Sequence, residues 1–491
     1  MKIISKFSIL FFACFFALGG CKKILEPKIY GQVNADNFPQ AEADIKSALI
    51  PFYAQFNPNY GSSDISRNVY DFSLTAAFLG YTWATSIQTD EAFDLYYYPY
   101  SQFTLGPSSF SNSSGQSFYD RVSYVAKLTG LIDKIDKSTI NNKELYSAEA
   151  KGLRAWFMFI LYDLYGPVSV KLDPATLNDN EVLPRPSQAD YVAAMESDLQ
   201  SAIAGLPDKY NGSNDWGRLS KGVARMIFLK LYMHEKEWAK AQSVGKDIMS
   251  MGYALDPSYK DIFITAQNSE VIFAVPGNNS TTSIWFACII PENAVNVLGN
   301  DVTKGDKYKL VEMPWAFYDK YTPGDARLQT IAASYINTSG QTVDRAHGLD
   351  AAIPMKYTQY VPNGFGFDYV IYRYADVLLY MAEATNELNG PTAEAKGYLT
   401  QVTDRAGTTA TIPASALADQ ASFRSYILDE RGRELYWEFG IRRQDLIRNG
   451  TFISNAKARG YSNAKETQVL FPIPSDVIIQ SGGVIAQNHG Y

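Results

Sequence analysis

The sequence predicts a mostly α protein, a bundle of tetratricopeptide-like helical hairpins with a loop-rich face and few short strands. Two observations carry this. Apolar residues recur at helical spacing through long stretches of the chain, and two of those stretches read as paired helices joined by short polar turns. A third observation supplies the loop-rich face: two segments rich in Gly, Ser, Asn, Thr, Pro and aromatic residues interrupt the periodicity.

The helical elements follow in order. Phe38 to Tyr53 carries apolar or small residues at helical spacing, with Pro51 near its end. Periodicity resumes over Phe118 to Ile135 and is strongest over Tyr146 to Tyr165, where Leu153, Trp156, Phe157, Ile160, Leu161 and Leu164 form a broad apolar face closed by Gly166 and Pro167. Helices are expected over Gln188 to Gly205 and Lys221 to His234, with another starting at Glu237. The stretch Lys221 to Met251 has the form of a degenerate tetratricopeptide hairpin: Glu235 lies in the turn, and Ala241 is the small residue that lets helices cross closely. A second hairpin is expected over Tyr374 to Arg405, with Glu387 to Pro391 as its turn and Ala395 in the small position. Phe423 to Asn449 is expected as one more helix, and Leu470 to Tyr491 as an extended tail.

Between these lie the irregular segments, 57–117 and 276–367. The first contains Trp83 and the run Tyr96, Tyr97, Tyr98, Pro99, Tyr100; the second contains Trp285, Phe286, Trp315 and Tyr318. Rings without a repeating partner pattern are candidates for a displayed stacking surface, whereas Trp156, Phe157, Phe159, Tyr162 and Tyr165 have core spacing and Trp238 and Trp437 belong with them. Arg67, Asp71, Asp90 and Asp94 lie near the first set of rings and can supply hydrogen bonds. The group Arg431, Arg433, Glu434, Glu438, Arg442, Arg443, Asp445 reads as an ion-pair ladder tying helices together, with Glu434, Glu438 and Arg442 facing one another at helical spacing.

Composition excludes several classes of function. Lys and Arg number 44 against 51 Asp and Glu, a formal charge of -7, so a polyanion would meet no basic stripe able to release its counterions. His234, His347 and His489 are far apart in sequence, which argues against a His-ligated metal site or a His-based triad. No calcium loop of the EF-hand type is present, and neither a metal nor a cofactor is expected. Cys14 and Cys21 lie in the N-terminal segment and Cys288 stands alone, so no disulfide framework is expected.

Lys2 and Lys6 precede an apolar run from Phe7 to Leu18, too short to span a bilayer and of the form of a secretory leader. It closes on Leu18, Gly19, Gly20 and Cys21, which resembles the lipobox of bacterial lipoproteins. Residues 1–20 are therefore expected to be removed and Cys21 to carry the lipid, with acyl chains as the sole membrane anchor. Lys22 and Lys23, with no Asp after Cys21, are compatible with sorting to the outer membrane.

Seven blocks, in this order, give the chain a family resemblance: AEAKGLRAWFMFILYDLYGPV from Ala148, LPRPSQADYVAAMESDLQSAIAGLP from Leu183, GRLSKGVARMIFLKLYM from Gly217, NSEVIFAV from Asn268, YRYADVLLYMAEATNELNG from Tyr372, ILDERGRELYWEFGIRRQDLIRNG from Ile427 and LFPIPSDVI from Leu470. They resemble the corresponding blocks of the SusD/RagB family over nearly the whole mature length. One departure is Ala126 followed by Lys127, where many members carry Ala followed by Asn. The resemblance implies an N-terminal helical region (21–210) with inserted binding loops and a C-terminal region (211–491) holding the hairpins and the irregular insert. It implies a cell-surface lipoprotein of the outer membrane that is no enzyme, captures glycan and delivers it to a SusC-like TonB-dependent transporter. Ligand contacts are then expected from Trp83, Tyr96, Tyr97, Tyr98, Trp285, Trp315, Arg67, Asp71 and Asp90, although Asp90 and Glu91 also resemble a recurrent family dipeptide of structural role. The alternatives are a scaffold that binds peptide or another nutrient, and a glycoside hydrolase, for which no carboxylate spacing selects a pair.

Overall fold

A computed structural model describes residues 38–56, 79–94, 98–109, 118–277, 285–362, 364 and 366–491. Helix α1 (Glu42–Tyr53) packs against α4 and α5 of the N-terminal half. Short helices α2 (Leu79–Ser86) and α3 (Tyr98–Ser101) come from the first irregular segment, expected to be a loop-rich surface. Then follow α4 (Val122–Lys137), α5 (Lys143–Tyr165), α6 (Gln188–Gly205), α7 (Lys221–His234) and α8 (Trp238–Met249), with α5 to α8 each packed on its predecessor. Helix α6 starts where Ser187 accepts a hydrogen bond from the Asp190 amide, and α7 where Ser220 does the same for Val223.

Helix α5 departs from the one-faced pattern of a surface helix: from Tyr146 to Tyr165 nearly every side chain is buried, because α4, α6 and the C-terminal elements cover it on all sides. Trp156 is fully buried at its centre, against Phe56, Phe273 and Tyr372.

Both expected hairpins are present. Helices α7 and α8 form the first, with Ala241 wholly buried at their crossing. Beyond the short helices α9 (Trp285–Ile289) and α10 (Trp315–Tyr318), the second is α11 (Tyr374–Asn389) with α12 (Ala393–Ala406), and Ala395 is likewise buried. Helix α11 also packs on α8, joining the two hairpins. Gly245 permits that approach: a Cβ there would lie 2.1 Å from the Met381 sulfur.

The expected single helix over Phe423 to Asn449 is two helices, α13 (Gln420–Leu435) and α14 (Ile441–Arg448). The turn between them puts Trp437, Phe439 and Gly440 at positive φ, which no α-helix accommodates. Helix α15 (Phe452–Ala458) follows, and the tail is also corrected, since Ser475–Gln480 forms α16.

Strands are short, as expected. Strand β1 (Phe93–Asp94) pairs antiparallel with β5 (Val311–Glu312), β2 (Val271–Val275) with β10 (Tyr369–Arg373), and β6 (Ile331–Ala332) with β9 (Ile353–Pro354). Strands β3 (Ala294–Val297), β4 (Asn300–Asp301), β7 (Ser334–Asn337) and β8 (Thr342–Asp344) make a sheet in the order β4-β3-β7-β8. The β1–β5 ladder joins the two irregular segments, aligning Phe93 with Glu312.

Among the described residues no helix is long and apolar enough to cross a membrane.

Candidate functional site

Beneath the irregular face lies a buried charged network. Arg373, which precedes α11, donates from Nε to Glu438 at 2.8 Å and from Nη1 to Glu270 at 2.8 Å and Glu434 at 2.5 Å. Arg405 also binds Glu270 and Glu434. Arg327 joins Asp325, Glu430 and Glu434, Arg433 joins Glu430, and Lys356 joins Glu438 at 2.6 Å. Five cations thus meet five carboxylates, so the interior carries no net charge from this set. Burial pushes the Glu434 carboxyl up, but Arg405, Arg373 and Arg327 outweigh it and hold it down at about 2. Burial draws the Lys356 ammonium down to about 8 even though Glu438 opposes it.

The role expected for this charged segment is therefore right and the partners expected are not. Glu438 sits in the turn after α13 and shares no helix face with Glu434, and Arg442 pairs elsewhere. Its Nε and Nη2 grip Asp90 at 2.7 and 2.8 Å. Asp90 also accepts from Lys320 at 2.9 Å, and Lys320 reaches Asp429 at 3.0 Å. Burial alone would raise the Asp90 carboxyl, but Arg442 and Lys320 carry it well below the usual carboxylate range. A carboxylate so engaged ties the first irregular segment to α14 directly and to α13 through Lys320, which is a structural role for Asp90.

Glu91 behaves in the opposite way. Its carboxylate accepts from the Trp437 amide at 3.3 Å, and its carbonyl accepts from the Trp437 indole at 3.2 Å. Burial dominates and pushes the carboxyl up to about 7, against the hydroxyl of Ser86, the Arg442 cation and the Trp437 amide, which favour the anion, while Asp90 adds to the rise. From its ordinary value near 4.5 up to about 7, folded Glu91 keeps a proton that the unfolded chain has released. Its contribution to stability is therefore full below about pH 4.5 and is lost as the pH climbs through about 7. Glu91→Gln keeps the neutral shape at every pH. Relative to the unsubstituted protein it is expected to gain on the order of 2–3 kcal/mol between pH 5 and pH 8, read from urea unfolding at each pH. Parallel curves for the two proteins would show that this carboxyl does not titrate in that window.

Trp285 does not face solvent. Its indole is 4% exposed and meets Tyr357, Tyr369 and Trp437 at steep angles, so the stacking surface expected of it is absent. The hollow between Trp285 and Trp437, bordered by Thr82, Ser86 and Cys288, has a volume of about 20 Å³ among the described residues, room for a water rather than a sugar ring. Tyr100 and Phe286 are buried as well. Cys21, Arg67, Asp71, Tyr96 and Tyr97 lie outside the described residues, as do the side chains of Trp83, Asp94 and Tyr98.

Trp315 is different. Helix α10 begins after Pro314 and directs Phe317 into the core beside Tyr321, which leaves the i, i+3 pair Trp315 and Tyr318 on the outer side, both half-buried. The indole Nε1 of Trp315 donates to the Leu349 carbonyl at 3.0 Å, which fixes the ring. The Tyr318 ring stands at 88° to it with centroids 5.3 Å apart. The segment after β8 brings Arg345 over the indole, its guanidinium carbon 5.1 Å from the ring centroid, and Nη1 donates to both Asp319 oxygens at 2.9 and 3.1 Å. His347 on the same segment meets Asp344 at 2.7 Å. The structure thus brings together one residue named from the sequence as a ligand contact, Trp315, with its companion Tyr318. Asp319 and Arg345 went unrecognised. The spacing of Trp315 and Tyr318 was a usable signal for Asp319 beside them; Arg345 arrives through the β7–β8 hairpin, which no local pattern announces.

A model of the SusD family matches residues 352–491. A SusD-like protein of Formosa agariphila is 26% identical and aligns over 98% of each chain. The C-terminal part of this chain thus matches the SusD family, and over its whole length the chain is similar to SusD-like proteins. Solved structures share the fold. A laminarin-binding SusD-like protein superposes with a TM-score of 0.71 at 21% identity, covering 92% of this chain and 100% of its own. Surface glycan-binding protein A from Bacteroides thetaiotaomicron, solved with laminarihexaose, gives 0.69 at 18% identity over 91% and 99%. The helical-hairpin architecture is thus shared with these SusD-like structures.

Proposed function

We propose that this chain is a cell-surface SusD/RagB lipoprotein of the outer membrane, anchored through Cys21, that binds oligosaccharide and passes it to a SusC-like TonB-dependent transporter. The observation that carries the glycan reading is the right-angled corner of Trp315 and Tyr318, partly exposed and fixed from below. A sugar ring offers an apolar C–H face with a rim of hydroxyls, and it is met by flat rings with polar groups at their edge. Here the edge groups are Asp319, Arg345 and the Tyr318 hydroxyl, which burial and then Asp319 raise above its usual value so that it stays a donor. Relatives of this fold described as binding laminarin or solved with laminarihexaose support the same ligand class. Binding without turnover is favoured because the carboxylates around the corner are held by cations: Asp319 by Arg345 and Asp90 by Arg442 and Lys320. The anchor reading rests on the apolar run ending in Leu18, Gly19, Gly20 and Cys21.

Trp315→Ala is expected to weaken binding of the preferred oligosaccharide by about 2 kcal/mol, roughly 30-fold, in calorimetric titration, with the helical CD spectrum unchanged. Unaltered affinity in a folded variant would remove the corner from the binding site, and release of shortened products from intact oligosaccharide would overturn the non-enzymatic reading.

A further inference from the structure

We propose that Arg345 makes the Trp315–Tyr318 corner selective for acidic glycans, whose sugars carry a carboxylate or sulfate ester beside the face that stacks. The inference rests on the glycan reading above and goes beyond it in naming the chemical class. Arg345 holds one side of the indole, with its guanidinium carbon 5.1 Å from the ring centroid, so a sugar approaching that side meets a cation as well as a ring. Only Nη1 is engaged, by the two oxygens of Asp319. The Nε and Nη2 donors of Arg345 have no hydrogen-bond partner among the described residues, and its side chain is 56% exposed.

An arginine fork with its Nε–Nη2 edge open presents two parallel N–H groups at the spacing of two oxygens on one carboxylate or sulfate. A neutral sugar can offer that edge two adjacent hydroxyls but no charge, so an anion gains the stronger, charge-assisted pair. The carboxylates nearby are already engaged: Asp344 binds His347 at 2.7 Å, and Asp350 lies 3.6 Å from Lys309. Asp319 is itself 51% exposed, and a pair so open to water is weak enough to exchange for a ligand anion. Arg345 is thereby poised as a specificity residue, with Trp315 and Tyr318 supplying the contact common to all sugars and the guanidinium edge supplying the discrimination.

The test uses the full mature chain on an array of oligouronates and sulfated oligosaccharides, each printed beside its carboxyl-reduced or desulfated counterpart. The strongest pair is then titrated with the unsubstituted protein and with Arg345→Ala, Arg345→Lys and Trp315→Ala. The unsubstituted protein is expected to prefer the acidic member by about 10-fold or more, a preference that shrinks as salt is raised. Arg345→Ala is expected to equalise the two members by weakening the acidic one alone, Arg345→Lys to keep part of the preference as a point charge without the fork, and Trp315→Ala to weaken both. Preference for the neutral member, equal binding, or a preference untouched by Arg345→Ala overturns this proposal while leaving glycan binding in place. Failure to bind any glycan on the array overturns the glycan reading and this inference with it. Comparing carboxylated with sulfated winners assigns the anion.

Discussion

Arg373→Ala is expected to lower stability by about 3–5 kcal/mol. Arg373 is fully buried and contacts Glu270, Glu434 and Glu438. Removing it leaves three buried carboxylates with fewer cations than charges, and water cannot reach them to compensate. The surface offers a direct contrast in Arg345, which is also paired with a carboxylate but is 56% exposed. Arg345→Ala is expected to cost no more than about 1 kcal/mol. Urea unfolding of both variants, followed by far-UV CD, checks the pair. A loss at Arg373 no greater than that at Arg345 would mean that the network does not hold the face together.

Gly440→Ala is expected to cost about 2–4 kcal/mol, because backbone conformation and packing act against it together. Gly440 lies at φ 69°, and a Cβ there would stand 2.6 Å from Cε1 of Tyr81 and 2.8 Å from Oγ1 of Thr85. Tyr81 has little freedom to retreat, since its hydroxyl donates to Asp163 at 2.7 Å and accepts from Gln444 at 3.0 Å. The substitution separates α14 from α2, and Arg442 on α14 is the partner of Asp90. Gly450→Ala is the matched comparison: its φ is 68°, with no atom near the added carbon, so only the backbone cost of about 1 kcal/mol remains. Urea unfolding of the two variants separates the terms. Equal losses would show that Tyr81 and Thr85 yield and that the contact at Gly440 costs nothing.

Arg373→Ala, through Glu438, and Gly440→Ala both probe the turn from Tyr436 to Gly440, where the sequence was least legible. Periodicity from Phe423 to Asn449 reads as one helix because its apolar and charged residues keep helical spacing on either side of the break. The break is set by partners distant in sequence: Lys356 donates to the Tyr436 carbonyl, and the Glu91 carboxylate accepts from the Trp437 amide. These contacts hold Trp437 and Phe439 at positive φ, a conformation local propensity opposes.

The sequence by itself determined the helical hairpins, because their pairing is local: a short turn, a buried small residue at the crossing and a recurring apolar face lie within about thirty residues of one another. Glu235, Ala241 and Ala395 were legible for that reason. Only the tertiary structure decided which rings meet solvent. Trp285 and Trp315 stand in equally irregular text, yet Trp285 is enclosed by Tyr357, Tyr369 and Trp437, while Trp315 stays at the surface under Arg345. Burial of a ring in an irregular segment depends on what distant chain arrives to cover it, and that is a property of the assembled fold rather than of spacing.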